Sequence, residues 1–124
     1  MAKILMIEDD DLMADLMRTH LVEAGHTVRL STDSAAGIMA LLVQQPDLVL
    51  LDLALPYLDG QDILAAMKGD PATSRIPVIV ITARSDAANK ARAQAAGVDD
   101  YLVKPILREQ LLAAVDRQLQ AAAR

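Results

Sequence analysis

The sequence predicts an α/β fold, a parallel sheet covered by helices on both faces, and two observations carry that prediction. Short apolar runs alternate five times with segments whose apolar residues recur at three- and four-residue spacing, the marks of strand and amphipathic helix in turn. The central runs, LVLL and VIVI, are apolar at every position, and strands buried on both faces belong in a parallel sheet. With 124 residues, 53% hydrophobic and 23% charged, the chain can bury the core of one compact domain; a second folded domain has no room.

The elements follow in order. KILMI at 3–7 reads as the first strand, and Leu12, Met13, Leu16, Met17 and Leu21 mark a helix over 12–24 that Gly25 stops. HTVRLS at 26–31 alternates weakly as a second strand. Asp33 or Ser34 caps a second helix with Ala35, Ile38, Met39 and Leu42 on its stripe, ended by Pro46. DLVLLD at 47–52 is the third strand, 59–68 the third helix and IPVIVIT at 76–82 the fourth strand. A fourth helix over 85–96 closes at Gly97, DYLVK at 100–104 is the fifth strand, and the last helix, over 107–120, aligns Leu111, Leu112, Val115 and Leu119. The fourth helix is rich in alanine, offers little apolar area and is expected to be among the least stable elements.

Composition excludes several functions. A net charge of -5 without a basic cluster argues against nucleic-acid binding and toward a cationic partner or a metal. No run approaches the roughly 20 apolar residues of a membrane span. The start, MAKILMIEDDD, is too short an apolar run for a signal peptide. The absence of cysteine excludes disulfides and thiolate metal sites, and the cytoplasm is the default compartment.

Ligands of parallel α/β sheets bind at the carboxyl ends of the strands. Standing there are Glu8 and Asp9, then Asp52, then Thr82 and Ala83, then Lys104 and Pro105. Asp52 is the odd residue, a carboxylate at the end of an apolar run, which needs a polar mouth or a neutralising partner. Carboxylates about 5 to 6 Å apart repel by roughly 3 kcal/mol per pair at an effective dielectric near 20. Lys104 alone cannot offset three such pairs. A hard divalent cation can, Mg²⁺ ahead of Mn²⁺ or Ca²⁺, with Zn²⁺ last because neither Cys nor His stands near. Asp52 could then attack phosphorus, with Lys104 and the Thr82 hydroxyl holding phosphoryl oxygens beside the ion.

The stretches IEDDD, LLDLALPYLDG, VIVITAR and GVDDYLVKPI, in that order over nearly the whole chain, closely resemble the receiver domain of two-component response regulators, including the chemotaxis type. The resemblance implies a flavodoxin-like, doubly wound sheet of order 2-1-3-4-5 with five helices. It implies one receiver domain over 1–124 and no output domain in this chain, whether a stand-alone regulator or a piece of a longer one. By resemblance, Asp52 is the phosphoacceptor, Glu8 and Asp9 join it in binding Mg²⁺, and Ala54 adds a backbone carbonyl to the ion. Lys104 contacts phosphate, and the Lys104–Pro105 peptide is expected to be cis. Thr82 and Tyr101 match the family's switch pair: the phosphoryl group recruits the Thr82 hydroxyl, and the Tyr101 ring fills the vacated space. The donor is the phosphohistidine of a sensor histidine kinase or a histidine phosphotransfer protein. The face that changes, made by the helix over 85–96, the strand over 100–104 and the last helix, meets a downstream protein. Chemistry beyond self-phosphorylation and autodephosphorylation is not expected.

Two departures from the family pattern bear on behaviour. Ala54 and Arg84 occupy the positions that influence phosphoryl lifetime, and neither offers an amide or carboxylate to orient water, so a lifetime longer than that of the fast chemotaxis type is expected. Gln110, Ala114 and Asp116 replace the acid and two bases of the winged-helix regulators' dimer face, which implies a monomer or weak dimer.

Other residues read plainly. Asp10 and Asp11 are a solvated helix start, His20 and His26 are surface or packing residues, the methionines at helical spacing fill the core, and Asp59-Gly60 is a turn opening a helix. An aspartyl phosphatase would need a second acid where Ala54 stands, and a dinucleotide site would need a glycine-rich turn after the first strand. A receiver-like binding module that never uses phosphate would be marked by loss of Asp52 or Lys104, and both are present.

Overall fold

The structure is a computed structural model and describes residues 1–31, 38, 39 and 42–123. Its elements are β1 (Lys3–Ile7), α1 (Asp11–Glu23), β2 (Thr27–Ser31), β3 (Leu48–Leu51), α2 (Gly60–Gly69), β4 (Val78–Thr82), α3 (Ala87–Ala96), β5 (Asp100–Val103) and α4 (Arg108–Ala122). All neighbouring strands are parallel, in the order β2-β1-β3-β4-β5. The fold class and strand order are those implied by the sequence, with four helices among the described residues against five expected. Of the expected second helix, Ile38, Met39 and Leu42 have helical backbone; its caps, Asp33 or Ser34, and Ala35 lie outside the described residues.

Burial explains the order. Every residue of β3 and β4 is buried, so both must be central. The weakly alternating β2 exposes Thr27 and Arg29, as an edge strand can. Side chains alternate between two cores, following the period of two along a strand. Leu5, Ile7, Val49, Leu51, Val78 and Val80 meet Ile63, Leu64 and Met67 of α2 and Ala93 of α3 on one face. On the other face, Ile4, Met6, Leu48, Leu50, Ile79 and Ile81 meet Ala14, Met17 and Leu21 of α1 and Leu111, Ala114 and Val115 of α4.

Helix starts are set by acidic caps. Asp10, Asp59 and Asp86 accept the amides of Met13, Gln61 and Asn89, each satisfying an orphan donor of the first turn. Asp86 therefore fixes the start of α3 at Ala87, two residues beyond the expected start at Ser85. Gly97 closes α3 at φ 98°, a left-handed conformation in which glycine carries no penalty.

Three side-chain assignments differ from expectation. Leu12 and Leu16 belong to the apolar series of α1 yet are exposed, at 82% and 50%. At about 100° per residue, Ala14, Met17 and Leu21 share one side of the helix and Leu12 and Leu16 point away. Met39 is also exposed, whereas Met6, Met17 and Met67 are core residues. None of the described helices is long and apolar enough to cross a membrane.

Leu64→Ala is expected to cost about 2–5 kcal/mol in urea denaturation, because the cavity would open in a core that cannot collapse around it. Leu12→Ala should stay within about 0.5 kcal/mol of the parent, since its side chain stands in water; equal costs would mean that the faces of α1 and α2 are wrongly assigned.

Candidate functional site

The carboxyl ends of β1, β3 and β5 meet at one carboxylate. Asp52, the residue after β3, is 6% exposed, and its amide donates to the Ile7 carbonyl at 3.0 Å, tying the end of β3 to the end of β1. Its Oδ1 accepts the Ala54 amide at 3.0 Å, and its Oδ2 accepts Lys104 Nζ at 2.9 Å. Lys104 is held in turn by its amide, which donates to the Thr82 carbonyl at 2.8 Å, and the peptide it makes with Pro105 is cis. The same ammonium donates to Glu8 Oε1 at 2.6 Å. One cation therefore bridges two buried acids.

Asp9 completes the group from an exposed position. Glu8, Asp9 and Asp52 each present a carboxylate oxygen, and these oxygens lie within 4.8 Å of one another. At that spacing each charged pair repels by roughly 3 kcal/mol at an effective dielectric near 20. The strain falls on Glu8: burial, and then the neighbouring Asp52, push its carboxyl up to about 8. Burial also works against the charge on Asp52, but contacts with Glu8, the Ala54 amide and Lys104 outweigh it and hold Asp52 below the usual carboxylate range. For Lys104, burial is likewise outweighed by Glu8 and Asp52, so the ammonium stays protonated well past neutrality.

The donor set fits a hard cation. It consists of carboxylate oxygens alone, and Glu8 Oε2 is buried without a hydrogen-bond partner, an arrangement that a bound ion would satisfy. Ala54 stands at the mouth, its amide fixed on Asp52 and its backbone bridged to Asp59.

Thr82 and Tyr101 come together through a third residue. The Thr82 hydroxyl, fully buried, accepts the Arg84 amide at 3.2 Å, and the half-buried Tyr101 donates its hydroxyl to the Arg84 carbonyl at 2.6 Å. Arg84 Nη1 lies 3.2 Å from Asp59 Oδ1. His20 and His26 take no part; His26 Nδ1 accepts the Ala2 amide at 3.2 Å.

Asp59 and Gly60 do more than open a helix. A Cβ on Gly60 would stand 2.5 Å from the Asp52 carbonyl oxygen and 2.5 Å from Leu53 Cα. Only glycine lets α2 press against the backbone of the residue that carries the central carboxylate. The dipeptide itself signals nothing of this, because the contact depends on where the intervening loop returns. Gln61, 1% exposed, is a further residue that sequence reasoning missed.

Fold and site together define an α/β domain with an acidic, cation-competent pocket at the carboxyl edge of its sheet. The family model of the response regulator receiver domain matches residues 4–116, and the chain belongs to that family, the receiver domains of two-component response regulators. It is 41% identical over 116 residues to the DNA-binding dual master transcriptional regulator RpaA of Synechocystis sp., covering 93% of this chain and 48% of that protein. Identity to the transcriptional regulatory protein KdpE of Mycobacterium tuberculosis is 36%, over 100% of this chain and 52% of the relative. The chain thus spans about half the length of these curated relatives. Among solved structures, the signal receiver domain of a signal transduction histidine kinase from Syntrophus aciditrophicus superposes with a TM-score of 0.90 at 30% identity, covering 100% of this chain and 94% of that one.

Gly60→Ala is expected to destabilise the domain by about 1–3 kcal/mol, because backbone cannot yield as a flexible side chain can. Chemical denaturation measures this; an unchanged midpoint would show that α2 does not press on Asp52.

Proposed function

We propose that Asp52 accepts a phosphoryl group from the phosphohistidine of a sensor kinase or a histidine phosphotransfer protein, and that the resulting state is read by a downstream protein on the face of α3, β5 and α4. The observation that carries this reading is the Lys104 ammonium set 2.9 Å from one Asp52 oxygen and 2.6 Å from Glu8. Such a cation stands where the oxygens of an arriving phosphoryl group gather negative charge.

The chain's own residues divide the work. Asp52, ionised at neutral pH, attacks phosphorus with a carboxylate oxygen. The phosphorus–nitrogen bond breaks, and its electron pair stays on the imidazole of the donor. Lys104 holds one phosphoryl oxygen and the Thr82 hydroxyl donates to another. Mg²⁺, held by Glu8, Asp9, Asp52 and the Ala54 carbonyl, supplies charge neutralisation for the phosphoryl oxygens when bound. Tyr101 follows Thr82, which alters the surface beside β5. Ala54 and Arg84 flank the route of hydrolytic water without a group to orient it. The protein acts in the cytoplasm as a monomer or weak dimer, and its chemistry is limited to taking on and losing its own phosphoryl group.

Incubation with Mg²⁺ and acetyl phosphate, followed by intact-mass spectrometry, is expected to show one added phosphoryl group on the parent, none on Asp52→Ala and a much reduced yield on Lys104→Ala. Addition to Asp52→Ala at the parental level would remove Asp52 from the role. Once the donor is withdrawn, the phosphorylated form should persist well beyond seconds, and its decay within seconds would show that water reaches the phosphorus without help from positions 54 and 84.

A further inference from the structure

Helix α3 is fastened to α2 by polar contacts rather than by burial. Its one fully buried residue is Ala93. Gln61 donates its buried amide to the Asn89 carbonyl at 2.9 Å and to Asn89 Oδ1 at 3.3 Å. Arg92 reaches Asp62 at 3.1 Å and Asp59 at 3.7 Å. Arg84 Nη1 lies 3.2 Å from Asp59 Oδ1 and 3.5 Å from Asn89 Oδ1, so one guanidinium touches the cap of α2 and the first turn of α3.

The same residue holds both switch side chains. Its amide donates to the Thr82 hydroxyl oxygen and its carbonyl accepts the Tyr101 hydroxyl. We propose that Arg84 is a latch through which the phosphoryl state of Asp52 controls the docking of α3 on α2. The inference rests on the reading of Asp52 as phosphoacceptor.

The mechanics follow from chain length and from the strength of the contacts. Arg84 lies two residues beyond Thr82 and two before Asp86, the cap of α3, so the segment has little slack. When the Thr82 hydroxyl turns toward a phosphoryl oxygen, the Arg84 amide follows or loses its acceptor. Either displacement pulls on a guanidinium fixed between Asp59 and Asn89. The Arg84–Asp59 and Arg92–Asp62 pairs are partly exposed, with side chains at 33% and 38%, and at 56% and 65%. Contacts of this kind are individually weak and screened by salt, so a modest shift opens them. An element that buries a single alanine then has little else to hold it. Arg84 is thus a positioning residue: its side chain acts on α3, and its backbone senses Thr82 and Tyr101.

The test is amide hydrogen exchange on the whole chain with Mg²⁺ present, with and without beryllofluoride as a phosphoryl analogue. It compares the parent with Arg84→Ala and with Asp59→Asn, which keeps a capping oxygen for α2 but removes the charge. In the parent, the analogue is expected to speed exchange in α3 by roughly 3- to 10-fold while β3 and β4 keep their protection. Both variants should show that faster α3 exchange without the analogue, and the analogue should add little. Parental α3 exchange in both variants, or the same analogue-induced increase in Arg84→Ala as in the parent, would overturn the latch. Acetyl phosphate labelling of the parent separates the two ideas. If Asp52 gains no phosphoryl group, the receiver reading fails and takes the latch with it; normal labelling with unaltered α3 exchange overturns the latch alone.

Discussion

The ammonium of Lys104, lodged between Glu8 and Asp52, is the contact on which the rest of the site depends. Three parallel strands end in charge at one edge of a sheet whose interior is aliphatic. Buried acids in that position must be neutralised or protonated, and both remedies are visible. Lys104 bridges two of the acids, and the carboxyl of Glu8 is raised to about 8. Even with the Glu8 carboxyl protonated, one monovalent cation does not balance the carboxylates of Asp9 and Asp52, and Glu8 Oε2 is left without a hydrogen-bond partner. The pocket therefore carries a surplus of negative charge that a divalent ion would balance.

The rigid and the yielding parts of the domain are separated by chemistry. On the Asp52 side, β1, β3 and β4 are buried throughout apart from Lys3, and α2 is pressed onto the backbone of Asp52 and Leu53 through Gly60. A carboxylate held that firmly can be addressed by a partner without the sheet adjusting. On the other side of the Thr82–Arg84 segment, α3 is held by two guanidinium groups, two amides and carboxylates near water. Aliphatic contacts lock an element into place, whereas charge-assisted contacts at the surface leave it within reach of a small change in geometry. The same loop, residues 83–86, joins the two regimes.

Much of this was legible in the sequence, for physical reasons. The all-apolar LVLL and VIVI runs allowed only central parallel strands, and that assignment carried Glu8, Asp9, Asp52, Thr82 and Lys104 to one edge. Local signals also placed Asp10 at a helix start and Gly97 at a helix stop. What stayed hidden depends on spatial return. Asp59 and Arg84 are 25 residues apart, and they meet only because β3 and β4 are neighbours whose following loops turn the same way. Gly60 looked like an ordinary turn residue because its constraint comes from a backbone seven positions earlier. Leu12 and Leu16 misled because an apolar series at helical spacing does not say which edge of the stripe faces the sheet, and Ala14, small and unremarked, lies nearer its centre.

The most direct test of the central claim, that crowded carboxylates leave a deficit of positive charge, is the unfolding free energy of the parent and of Asp9→Asn with and without Mg²⁺. Without the ion, Asp9→Asn should be at least as stable as the parent, since one repelling charge is gone. Saturating Mg²⁺ should stabilise the parent, by about 2.7 kcal/mol at a hundredfold excess over its dissociation constant, and should do little for the variant. An ion that leaves the parent unmoved, or stabilises both proteins equally, would contradict it.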